Sequence, residues 1–235
     1  MRTGANAEEL KRAASAAAIE EVRDGMIVGL GTGSTARYAI EALARRMANG
    51  LKVEAVATSL QTADLATGLG IRIRDFASKA AVDLGIDGVD EIDPALRAIK
   101  GAGGAMLREK IVASAATRML AVADNSKLAA HLGNRPVPVE ILPFARAYIE
   151  RRLRELGAEP ALRREPSGAP FVTDQANIVL DARFPSIDMP EALAAALDAC
   201  PGILAHGLFL TEIDAIYVAG PEGVSRQERQ VPEPV

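Results

Sequence analysis

Residues 28–38 read VGLGTGSTARY, an apolar run that breaks at once into Gly31, Thr32, Gly33, Ser34 and Thr35. Where a strand turns into a helix, the first backbone N–H groups have no partners and the helix dipole is positive. Phosphate fits there, and Thr and Ser hydroxyls add donors. The stretch matches neither common nucleotide fingerprint: no Gly-Lys-Ser/Thr follows, and the third glycine of a dinucleotide loop is replaced by Ala36. By itself it also reads as plain strand-to-helix punctuation.

Three further stretches carry chemistry. DLGIDGVDEID (83–93) places Asp83, Asp87, Asp90, Glu91 and Asp93 behind an apolar strand. The carboxyl end of such a strand is where open α/β sheets bind ligands. A calcium loop does not fit, because from Asp87 the third position is Val89 and the sixth is not glycine. A solvated acidic loop is the plain alternative. IKGAGGAMLREKIVA (99–113) joins Lys100 to Gly101, Ala102, Gly103 and Gly104, which permit close approach to a ligand, and then to a helix bearing Glu109. Leu107, Ile111 and Ala115 mark the expected buried stripe, with Glu109 on the opposite side, where a surface carboxylate would also be ordinary. VADNSKLAAHLG (122–133) brings Lys127 near the sheet's carboxyl edge, with a solvated lysine as its alternative. His131 and Cys200 read as an incidental residue and a small core residue.

The elements that must position these residues alternate. Helices are expected over 8–22, 35–48 and 105–117, and strands over 26–30, 53–58, 81–87 and 119–124, with IRIRDF (71–76) as a short strand. That alternation predicts a Rossmann-like parallel sheet with helices on both faces. After residue 133 the order changes to a smaller α+β pattern, and DAIYVAG (214–220) reads as a strand returning to the first sheet. The expected domains are 1–132 with 208–235, and an insert at 133–207. The tail from Ser225 reads as frayed.

Composition narrows the class. Hydrophobic residues make up 49% and aromatics 3% of 235 residues, with no Trp, so the core is aliphatic. A net charge of -4 and a pI near 5.4 give no basic field, which argues against nucleic acid and anionic membranes as partners. No apolar run approaches membrane length. Two separated histidines, His131 and His206, and one cysteine, Cys200, offer no His-rich metal site and no intrachain disulfide. No basic-then-apolar leader opens the sequence, so a cytoplasmic protein is expected.

Taken in order, Gly-Thr-Gly-Ser-Thr, Asp-Gly-x-Asp-Glu, Lys-Gly-x-Gly-x-x-x-x-Arg-Glu-Lys, Asp-x-Ser-Lys and Pro-x-Pro-Val-Glu resemble the ribose-5-phosphate isomerase type A family, from about Glu9 to Val224. The resemblance implies a two-domain fold whose smaller part is ferredoxin-like, a homodimer, no cofactor and no metal. It implies isomerisation of ribose 5-phosphate and ribulose 5-phosphate in the non-oxidative pentose phosphate pathway. Thr32, Gly33, Ser34 and Thr35 match its phosphate loop, Lys127 its phosphate-side lysine, and Lys11 a further lysine of that kind. Asp87, Gly88, Val89 and Asp90 match its sugar-binding turn, and Lys100, Gly101, Ala102 and Gly103 its lysine-glycine loop. Glu109 matches its base. Ala102 stands where many members have glycine, and would strain the loop if that position required positive φ.

The implied chemistry suits these residue types. Moving a proton between adjacent carbons through an enediolate needs one carboxylate base, a cation near the oxygens such as Lys100, and proton exchange that Asp87 or Asp90 could serve. A metal-assisted hydride shift would need a ligand set that the spacing does not provide. A non-catalytic sugar-phosphate sensor and a sugar-phosphate deaminase are the alternatives.

Overall fold

The computed structural model describes residues 6–78 and 81–230. In chain order the helices are α1 (Ala7–Ile19), α2 (Ser34–Ala48), α3 (Leu60–Gly68), α4 (Met106–Ala115), α5 (Arg146–Glu155) and α6 (Pro190–Asp198). The first strands are β1 (Ile27–Leu30), β2 (Glu54–Ala57), β3 (Val82–Gly88), β4 (Glu91–Ile92), β5 (Ala98–Ile99) and β6 (Ala116–Asp124). They are followed by β7 (Val137–Ile141), β8 (Glu159–Leu162), β9 (Ile178–Arg183), β10 (Ile203–His206), β11 (Leu208–Phe209), β12 (Ala215–Gly220) and β13 (Gly223–Glu228). The chain forms two compact units: Met1–Val89 with Ile111–Lys127 and Thr211–Val235, and Asp90–Lys110 with Leu128–Leu210. This partition and the division expected from sequence differ at 90–110, 128–132 and 208–210.

The first unit is an α/β layer structure. Its six-stranded sheet runs β13-β12-β6-β3-β1-β2, parallel except for the β12–β13 pair. Val28, Leu30, Leu84, Ile86, Leu120 and Val122 pack with Ile19 of α1 and Ile40 and Leu43 of α2. A second cluster joins Val56 and Val82 to Val112 of α4. Local sequence sets the helix starts: Asn6 and Glu9 form a capping box on α1, and Ser59 accepts the Thr62 N–H at the start of α3. From β1 the chain goes out to β2 and returns to β3 on the other side of β1. The crevice beyond the ends of β1 and β3 is therefore a topological switch point, the usual ligand site of such a sheet.

The second unit contains the order β7-α5-β8-β9-α6-β10. Its antiparallel sheet is arranged β10-β7-β9-β8, which is the ferredoxin-like split βαβ topology. Ile149, Leu153 and Leu197 of the helices pack on Val137, Val139, Ile141, Leu180 and Ala182. Val179 and Ala205 pack with Met106 in a separate cluster. The short strands β4, β5 and β11 make a third sheet.

Two expectations need correcting. Residues 71–76 form no strand; Ile73 alone makes a bridge, to Ala55. Ser225–Glu228 is not frayed but belongs to β13, paired with β12 along its whole length.

Candidate functional site

In the first unit, Gly31 to Thr35 cross the switch point. Gly31 N–H donates to the Ile86 carbonyl at 3.0 Å, tying the turn to β3. A Cβ on Gly31 would stand 1.9 Å from Asp87 Oδ1, so no other residue fits between the turn and that carboxylate. Gly88 packs less tightly, on Thr35, whose Cβ would lie 3.3 Å from an added methyl. Gly33 precedes α2 with φ 113°, in the left-handed region that favours glycine, and no side chain caps the helix. Lys11 lies at the same end of α2: its Nζ donates to Ser34 Oγ at 3.2 Å and pairs with Glu8 Oε1 at 3.0 Å. A cleft of about 420 Å³ opens at this end of α2, lined in part by Gly33, Ser34, Arg37 and Gln61.

Thr32 turns its hydroxyl inward. Its Oγ1 lies 2.8 Å from Thr58 Oγ1, 2.8 Å from Ser59 Oγ and 3.1 Å from Thr62 Oγ1, while Thr62 donates to the Gly31 carbonyl at 2.9 Å. This hydroxyl cluster fixes the turn from beneath. Sequence reasoning missed this cluster; the signal is the run Thr58, Ser59, Thr62 directly after a strand. Lys127 ends the short 3-10 turn Asn125–Lys127 that follows β6, the neighbour of β3. Asp124 starts that turn, with Oδ1 accepting the Ser126 N–H at 3.0 Å.

In the second unit, Lys100 and Glu109 form a buried ion pair. Lys100 Nζ lies 3.1 Å from Glu109 Oε2, with side chains 3% and 2% exposed. The Lys100 ammonium also stands 5.3 Å from the centre of the Phe209 ring, a cation–π distance. The expected stripe on α4 is reversed: Ile111 is 46% exposed, while Met106, Glu109, Val112 and Ala113 are buried. Burial of Glu109 is tolerated because its charge is met by another.

Asp90 anchors the loop between these two residues, its Oδ2 accepting the Ala102 N–H at 2.9 Å. Gly101 and Gly104 take φ of 100° and 76°. Ala102 does not need positive φ, so its methyl is harmless, and both it and Gly103 are exposed. Val89 is buried. The other carboxylates of the acidic run hold backbone. Glu91 accepts from the amides of Gly133, Asn134 and Arg135, Asp93 accepts from those of Ala95 and Arg97, and Asp83 accepts the Ile27 N–H. The structure therefore groups Thr32–Thr35, Asp87, Gly88 and Lys127 in one unit, and Asp90, Lys100–Gly103 and Glu109 in the other. Among the described residues, no three His, Cys, Asp or Glu side chains are grouped to hold a metal ion, and no helix is long and apolar enough to cross a membrane.

Residues 54–223 match the family model for ribose 5-phosphate isomerase A (phosphoriboisomerase A). The chain is 52% identical over 219 residues to the ribose-5-phosphate isomerase A of Sphingopyxis alaskensis, covering 93% of this chain and 96% of the relative. The chain belongs to the ribose 5-phosphate isomerase A family. Solved structures of the family are similar over the same length. A D-ribose-5-phosphate isomerase in complex with phospho-erythronic acid gives a TM-score of 0.93 at 36% identity, over 96% of this chain and 100% of that one. The family member from Methanocaldococcus jannaschii gives 0.90 at 35% identity, over 94% and 99%.

Proposed function

We propose that this chain interconverts D-ribose 5-phosphate and D-ribulose 5-phosphate by proton transfer through an enediolate, without a metal or cofactor. The observation that carries the reading is the Glu109 carboxylate, buried and paired with the Lys100 ammonium at 3.1 Å. Glu109 takes the proton from C2 of the open-chain aldose. The C–H electron pair becomes the C1=C2 bond, and the aldehyde π electrons move to O1. Lys100 stabilises that oxygen as its charge develops. Asp87 and Asp90 serve the exchange of protons at O1 and O2; C2 becomes the carbonyl carbon, and Glu109 returns a proton to C1.

The phosphate end is assigned to Thr32–Thr35 and Lys127. Amides at a helix N-terminus favour an anion, and a remote anchor helps to position the reacting carbons. With its one cysteine buried and free, the chain has no need of an oxidising compartment, and the cytoplasm is the compartment proposed. A homodimer is proposed as the assembly. Leu142, Phe144 and Tyr148, all exposed, give a second copy apolar surface to bury.

The test is a direct assay of ketose formation from ribose 5-phosphate, before and after exhaustive chelation. Turnover unchanged by chelation is expected. Loss on chelation with recovery on one divalent ion would remove the metal-free mechanism. Binding of the phosphosugar with no turnover would leave the sensor reading.

A further inference from the structure

The loop that carries Lys100 is held by a residue far from it in sequence. Arg163 follows β8, and its Nη1 donates to the carbonyls of both Gly101 and Ala102, at 2.9 and 3.0 Å. The rest of the guanidinium is taken up by Asp181 of β9: Nε donates to Oδ2 at 3.0 Å, and Nη2 pairs with Oδ1. The Phe171 ring lies 5.8 Å from the guanidinium carbon.

The peptide between Gly101 and Ala102 is therefore pinned at both ends, its oxygen by Arg163 and its N–H by Asp90 Oδ2 at 2.9 Å. A loop with two glycines in the left-handed region has little stiffness of its own. A planar fork can grip a carboxylate along one edge and still offer an N–H to two carbonyls; an ammonium cannot do both. Because Asp181 balances the charge of Arg163, the contribution is one of geometry.

We infer that Arg163, anchored by Asp181, is a positioning residue for the isomerisation: it fixes the Lys100–Gly104 loop and with it the Lys100 ammonium. The inference rests on the proposed function. Misplacement of a catalytic group by about 1 Å can cost on the order of 100-fold in rate. Arg163→Ala is expected to lower kcat about 10- to 100-fold with KM within about threefold, since the phosphate end is held by other residues. Arg163→Lys keeps the charge and is expected to remain more than fivefold below wild type, and methylguanidine should restore part of the Arg163→Ala rate.

Exchange of the Ala102 amide hydrogen, which needs no turnover, should be faster in Arg163→Ala than in wild type. If Arg163→Ala does not fold, Arg163→Lys and Asp181→Asn carry the same kinetic and exchange tests. A kcat within twofold of wild type in a folded variant overturns the inference. So does equal loss in kcat and KM without rescue, or an unchanged Ala102 exchange rate. A wild-type protein that does not isomerise ribose 5-phosphate would instead remove the proposed function, with the exchange result unaffected.

Discussion

Lys100 Nζ and Glu109 Oε2 are 3.1 Å apart, and neither side chain is more than 3% exposed. Removing one member of a buried pair strands the other charge, at a cost of about 3–5 kcal/mol; removing both costs less than the sum. Lys100→Met and Glu109→Gln are each expected to lower urea stability, and the double variant to recover part of the loss. Stabilities that add to within about 0.5 kcal/mol would mean that the two charges do not sense one another.

Glu109→Gln keeps size and polarity but cannot accept a proton. Turnover is expected to fall by about 10²–10⁴-fold, the usual share of general base catalysis, while substrate binding stays within a few-fold. Circular dichroism checks that the assayed protein is folded. Near-normal turnover in folded protein would remove Glu109 from the centre of the mechanism.

Lys127→Ala tests the phosphate end. A charge-assisted bond of this kind is worth roughly 1.5–3 kcal/mol. Inhibition by a phosphosugar analogue should weaken far more than inhibition by its dephosphorylated form. Equal weakening of both would place Lys127 away from the phosphate.

His206 predicts a pH effect on stability. It is 1% exposed, Nδ1 accepts the Leu208 N–H at 3.2 Å, and Nε2 lies 3.1 Å from Asp198 Oδ1. Burial, with the nearby Lys110 ammonium second, pushes its pKa down from 6.5 to about 4 against the opposing pull of Asp198. The native imidazole thus stays neutral where the unfolded one charges. Its contribution is complete above pH 6.5 and is lost as pH falls towards 4, roughly 3 kcal/mol in all. Urea midpoints between pH 7 and 4 should drop less steeply in His206→Asn. The same slope in both proteins would count against it.

The parallel sheet and the glycine turn between β1 and α2 were legible because each depends on a local pattern: apolar runs alternating with amphipathic helices, and a glycine break at a strand end. The face of α4 was not. Met106, Val112 and Ala113 are as apolar as Leu107 and Ile111, so periodicity in ten residues cannot choose between stripes. The partner that makes Glu109 a core residue lies nine positions away, at Lys100. The hydroxyls of Thr58, Ser59 and Thr62 meet Thr32 only once β1 and β2 pair. The two-residue strands β4, β5 and β11 are too short for any period to register. β13 escaped notice for another reason: every one of its residues is exposed, so no apolar period marks it, and its ion pairs reach Glu21 and Arg118, far away in sequence.

That last strand has a bearing on biosynthesis. β12 is apolar, mostly buried and bonded on one side to β6. Until β13 has been made and folded back, the other side of β12 is an open row of N–H and C=O groups, the template on which chains aggregate. Arg226, Gln227 and Glu228 close that row with polar and charged side chains that a further strand cannot easily overlay. This solvated hairpin arm covers an edge on which nascent chains could otherwise mispair. A chain cut after Gly220 should be recovered from cells mainly in inclusion bodies.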